Sequence, residues 1–220
     1  MLRQRVGDGV LLRLIDKWLN AGVLEEGSLR FSDEGTPQGG VVSPLLVNIY
    51  LHEVIDEWFA REVKPRLFGD AFLIRYADDL VICFAHEEDA LRVMRVLPRR
   101  FERYGLTVHG EKTRLVPFGS PNRKSSARVP PRTFDFLGFT HYWGSTKSRL
   151  WAIKRKTASS RFSRSIRRIA DWCRSHRHEP LYVQHRSLVR KLKGHYAFYG
   201  ITGNADALAR WSSLFSCVNA

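Results

Sequence analysis

The chain has 220 residues, of which 44% are hydrophobic, and carries a formal net charge of +14. That apolar content can build a core and excludes wholesale disorder, and the excess of positive charge points to a polyanionic partner, nucleic acid first. Three cysteines at wide spacing (Cys83, Cys173, Cys217) exclude a disulfide framework and a zinc site.

The charge is unevenly divided. Residues 1–119 hold 16 Lys+Arg against 18 Asp+Glu, a net of −2, and residues 120–220 hold 20 against 4, a net of +16. A near-neutral module followed by a basic binding module is expected. No signal peptide opens the chain and no apolar run reaches membrane-spanning length. The expected setting is a reducing, soluble compartment without a membrane, the bacterial cytoplasm.

In chain order, Val10–Asn20 reads as a helix stopped by Gly22. Leu24–Phe31 reads as a short hairpin turned at Glu26-Gly27-Ser28. Gly35-Thr36-Pro37-Gln38-Gly39-Gly40 is a loop too rich in glycine for either regular element. Ser43 as N-cap and Pro44 at the first helical position open a second helix, with Val47, Leu51, Val54 and Trp58 as its apolar stripe. Ala71–Tyr76 and Leu80–Phe84 are strands. They predict a hairpin with Ala77-Asp78-Asp79 at its tip, buried on both sides, with Cys83 in the core.

Glu87–Tyr104 is a helix with acids first and arginines last, in keeping with its dipole, kinked at Pro98 and stopped by Gly105. Two short strands flank Gly110-Glu111-Lys112. Residues 120–133 form a basic, proline-containing loop. Phe134–Ile153 is a hairpin turned near Gly144-Ser145, and two helices fill most of 156–200. The fold class is α+β, an antiparallel sheet with packed helices and then a helical module, divided at 1–133, 134–153 and 154–220.

Asp78 and Asp79 form the chemical centre. Adjacent carboxylates repel, and a divalent cation relieves the repulsion. Magnesium takes a few carboxylates and fills its remaining positions with water and substrate phosphate oxygens. Such a pair on a rigid hairpin suits in-line phosphoryl transfer. An aspartate pair is also ordinary turn chemistry, so the residues by themselves reach a plausible Mg²⁺ site and stop there.

In the basic half, Phe162, Ile166, Ile169 and Cys173 mark one face of a helix and Arg161, Arg164 and Arg168 another. The next helix repeats the scheme, with Leu188, Leu192, Tyr196 and Tyr199 inward and Arg186, Arg190 and Lys193 on a neighbouring face. Few acids intersperse these cations, which favours a phosphate-tracking surface over a merely solvated one.

Tyr76-Ala77-Asp78-Asp79 resembles the YxDD box of reverse transcriptases. The run Gly35 to His52 resembles the preceding block of the group II intron type, in matching order and separation. The resemblance implies a partial right-hand polymerase palm over 1–133, a primer-grip hairpin over 134–153 and a basic helical thumb (maturase X-like) over 154–220. It implies an RNA-directed DNA polymerase using Mg²⁺ on Asp78 and Asp79, an RNA template, a DNA primer and a dNTP. By the same resemblance Gln38, Gly39, Gly40 and Tyr76 lie by the template and nucleotide, and Lys112 assists departure of pyrophosphate. Leu137 and Gly138, within Phe136–Phe139, belong to the primer grip, and Leu192–Gly200 resembles the thumb.

The family's third carboxylate precedes the first helix found here, and Asp8 and Asp16 do not replace it. The expectation is therefore that residues 1–220 alone are not a competent polymerase; whether a complementing chain supplies the missing aspartate is left open by the sequence. Structured group II intron RNA is the further expected partner, and an RNA-binding splicing module without polymerisation is the alternative.

Overall fold

A computed structural model describes residues 2–4, 6–20, 23–25, 28–30, 43–121 and 132–218. It mixes helices with small antiparallel sheets, as the α+β expectation requires. The chain divides into two compact units, Met1–Leu115 and Val116–Ala220, so the division falls before the basic loop rather than after residue 133.

In the first unit, α1 (Gly9–Leu19) begins at Asp8, whose carboxylate accepts from the N–H groups of Val10 at 2.7 Å and Leu11 at 3.3 Å. The Gly-Asp-Gly segment thus ends in an N-cap that satisfies two otherwise orphaned donors. Strands β1 (Val23–Glu25) and β2 (Ser28–Arg30) pair antiparallel, with Glu25 opposite Ser28. Helix α2 (Ser43–Leu51) runs on through π-type turns at His52–Asp56 and Phe59–Val63 and a 3₁₀ turn at Lys64–Arg66. Leu51, Val54 and Trp58 are buried as the stripe predicts, but Val47 is exposed.

Strands β3 (Ala71–Tyr76) and β4 (Asp79–Phe84) form the expected hairpin. Their inward residues Ala71, Leu73, Leu80, Ile82 and Phe84 join a core of Leu51, Val54, Ile55, Trp58, Phe59, Leu97 and Phe101. Helix α3 (Glu87–Glu102) closes that core and continues through Pro98, and Gly105 follows it with φ of +65°.

Three further expectations fail in this unit. The hairpin is covered on one face only: Phe72, Ile74, Tyr76 and Cys83 are exposed, so Cys83 is not core. The reason is strand alternation, because helices back one face and every second side chain points the other way. Asp79 is not in the turn but pairs with Tyr76 as the first residue of β4. Finally, no strands flank Gly110-Glu111-Lys112. A turn closed by Lys112 N–H to His109 O at 3.2 Å stands there, in a segment with no strand partner to complete a ladder.

In the second unit β5 (Phe134–Phe136), β6 (Phe139–Ser145) and β7 (Trp151–Thr157) make a three-stranded meander in that order. The β6–β7 turn lies beyond Gly144-Ser145, where Thr146 N–H meets Leu150 O at 2.8 Å. Helices α4 (Ser159–Ser175) and α5 (Leu181–Tyr199) follow as expected, and α6 (Ala205–Val218) adds to them. The buried Asn204 ties these parts together: it accepts from Thr157 N–H and donates to Tyr199 O, each at 2.8 Å. Among the described residues no helix is long and apolar enough to cross a membrane.

Candidate active site: the carboxylate turn

Because Tyr76 pairs with Asp79, only Ala77 and Asp78 are left to reverse the chain. Ala77 does so at φ of +52°. A left-handed backbone on a residue with a Cβ costs roughly 1–2 kcal/mol, so something nearby must hold it. Asp78 and Asp79 are both exposed, one at the tip and one at the start of β4. Tyr76 is exposed beside them at 67% and shares its sheet face with Ile74 and Phe72.

The turn is held from beneath by Arg75, whose side chain is only 13% exposed. Its Nε donates to Asp56 Oδ1 at 2.8 Å and its Nη2 to Asp56 Oδ2 at 2.7 Å, a bidentate pair. Its Nη1 donates to Asn48 Oδ1 at 2.9 Å and to the Ala77 carbonyl at 3.0 Å. Burial by itself would raise the Asp56 carboxyl, but hydrogen bonds and charge from Arg75 and His52 outweigh it and hold the pKa below the ordinary value. The same pairing raises that of Arg75. Sequence reasoning missed Arg75, Asp56 and Asn48. The signal was there: an arginine in the inward register of an apolar strand needs a buried partner.

Asp78 and Asp79 offer hard carboxylate oxygens, the donor type magnesium prefers. The described residues contain no cluster of three or more His, Cys, Asp or Glu able to hold a metal; two carboxylates would fill only part of a magnesium coordination sphere. Gln38, Gly39 and Gly40 lie outside the described residues. Lys112 is exposed in the His109 turn rather than at a strand end.

Leu137 and Gly138 form a second two-residue turn, between Phe136 and Phe139, with φ of +50° and +82°. The Gly138 carbonyl accepts from Ala158 N–H at 3.0 Å, just before α4 begins. Phe139 stacks on Phe198 with centroids 5.7 Å apart and meets Tyr199 edge-on at 5.4 Å. This turn and the carboxylate turn belong to different units.

Arg161, Arg164 and Arg168 on α4, and Arg186, Arg190 and Lys193 on α5, are all exposed. Among the described residues none of the six takes part in an ion pair. Ile169 is buried on a different face of α4. Tyr199 is half-buried as expected, but Tyr196 is exposed at 39%, because His195 rather than Tyr196 stacks flat on Trp211, at 4.0 Å. No sequence periodicity marked His195. Its contact waits on α6, and burial pushes its imidazole pKa down.

A strand–turn–strand bearing paired carboxylates, backed by helices on one face, is an arrangement suited to metal-dependent phosphoryl transfer. Residues 5–141 match the family model described as reverse transcriptase (RNA-dependent DNA polymerase), and the chain belongs to that family. Within it, the chain is similar to group II intron-encoded protein LtrA of Lactococcus lactis subsp. cremoris, 46% identical over 54 residues. It is also similar to an uncharacterized 91 kDa protein in the cob intron of Schizosaccharomyces pombe, 47% identical over 58 residues, and to protein YkfC of Escherichia coli, 46% over 52. These matches cover 24–26% of this chain and 7–14% of the relatives.

Proposed function

We propose that this chain carries the catalytic turn and nucleic-acid grip of an RNA-directed DNA polymerase of the group II intron type. The observation that carries the reading is the two-residue turn that exposes Asp78 and Asp79 side by side at the end of a braced hairpin. In this reading Asp78 and Asp79 hold Mg²⁺, which supplies charge stabilisation for transfer of a nucleotide to a primer 3′-hydroxyl. Tyr76, Gln38, Gly39 and Gly40 border the nucleotide and template, and Lys112 meets the departing pyrophosphate. The turn at Leu137-Gly138 supports the primer end, and the first unit serves as palm and the helices of the second as thumb.

Primer extension by the protein on an RNA template with Mg²⁺ tests the reading. Asp78→Asn should lower the rate by at least about 100-fold. No extension, with RNA still bound, overturns the polymerase reading.

The second reading is an RNA-binding splicing module for structured group II intron RNA. The six exposed cations, without ion-pair partners among the described residues, favour it. RNA binding that survives Asp78→Ala without any extension selects it.

A further inference from the structure

The Ala77 carbonyl belongs to the planar peptide unit that leads into Asp78. Whatever fixes that oxygen fixes the direction in which Asp78 leaves the turn. Arg75 reaches it at 3.0 Å from the covered face of the hairpin. The guanidinium itself cannot swing away, because Asp56 grips two of its nitrogens at 2.7 and 2.8 Å and Asn48 shares the third at 2.9 Å. Asp56 is steadied in turn by His52 Nδ1 at 3.2 Å, one helical turn earlier, and His52 Nε2 meets Glu57 at 3.3 Å. A chain of contacts therefore runs from the helix that starts at Ser43 to the backbone between the two sheet strands.

We propose that Arg75 is the positioning residue of the carboxylate turn: clamped by Asp56 and Asn48, it holds the strained Ala77–Asp78 peptide so that Asp78 and Asp79 are presented in one arrangement. Its consequence for catalysis rests on the polymerase reading above. Its structural content does not. Three guanidinium nitrogens make four hydrogen bonds to three partners, Asp56, Asn48 and Ala77, which a lysine with a single nitrogen cannot reproduce. Arg75→Lys keeps the charge opposite Asp56 and gives up the hold on Ala77.

Amide hydrogen exchange on the 220-residue chain tests this. Arg75→Lys should raise exchange at Asp79, which closes the turn opposite Tyr76, by about tenfold or more, the effect of one lost charge-assisted hydrogen bond, with little change in the rest of β3, β4 and α3. Asp56→Asn should give the same local rise to a smaller extent, and it serves if Arg75→Lys does not fold. Unchanged exchange at Asp79 in both variants, or a rise shared by the whole hairpin as a general loss of stability would give, overturns the proposal. Manganese binding followed by electron paramagnetic resonance adds a readout at the carboxylates: Arg75→Lys should weaken it, and unweakened binding also counts against Arg75. The polymerase reading fails separately, if primer extension is indifferent to Asp78→Asn.

Discussion

Tyr199 lays its hydroxyl over Gly138. A Cβ placed on that glycine would lie 3.3 Å from Tyr199 Oη, and the backbone there has φ of +82°. Two separate conditions therefore exclude a side chain, one of space and one of backbone conformation. Gly138→Ala is expected to lower the stability of the second unit by more than about 1 kcal/mol. Tyr199→Phe, which removes only the overlying hydroxyl, should cost less. Urea unfolding of both variants checks this, and an unstrained Gly138→Ala would show that the turn relaxes freely.

The two turns also show what the sequence reveals and what it withholds. Two apolar runs on either side of a turn made the β3–β4 hairpin readable, and the acids and arginines at the ends of α3 made that helix readable. Strand spacing could not say that Asp79 pairs with Tyr76, because Asp79 is a poor strand former and register is decided by the tightness of the turn. Nor could it say that Phe72, Ile74 and Cys83 lie open, since an apolar strand reads alike whether one face or both are covered. The arginine stripes were legible from helical period alone. The flat stack of His195 on Trp211 joins residues of α5 and α6, and no local pattern announces such a pair.

Asp56 should leave a mark on acid stability. Its folded pKa lies below the ordinary value because Arg75 and His52 outweigh the cost of burial. A depressed carboxylate contributes stability that is fully present above the unfolded pKa of about 3.9 and is lost as pH falls through the lower folded value. Urea midpoints of the parent chain should accordingly fall below about pH 4, where the bidentate pair with Arg75 gives way. Asp56→Asn should be less stable at pH 7 and lose less on acidification. Equal acid slopes for the two chains would mean that Asp56 is not held by Arg75 in solution.

The arginines of α4 lend themselves to a measurement that separates phosphate tracking from ordinary solvated charge. Arg161, Arg164 and Arg168 are exposed, on a different face of the helix from the buried Ile169, so replacing them leaves that packing in place. If each neutralises one phosphate of single-stranded RNA, it contributes about 0.7 to the slope of log affinity against log salt concentration. The triple substitution Arg161→Ala, Arg164→Ala, Arg168→Ala should therefore flatten that slope by about 2, and binding should weaken most at low salt. Fluorescence anisotropy with a labelled RNA across a potassium chloride series reads both quantities. Asp78→Asn, in the other unit, should leave the slope where it was. A triple variant with the parent's slope would place the RNA elsewhere, on the Arg186, Arg190 and Lys193 face of α5 as the next surface to test.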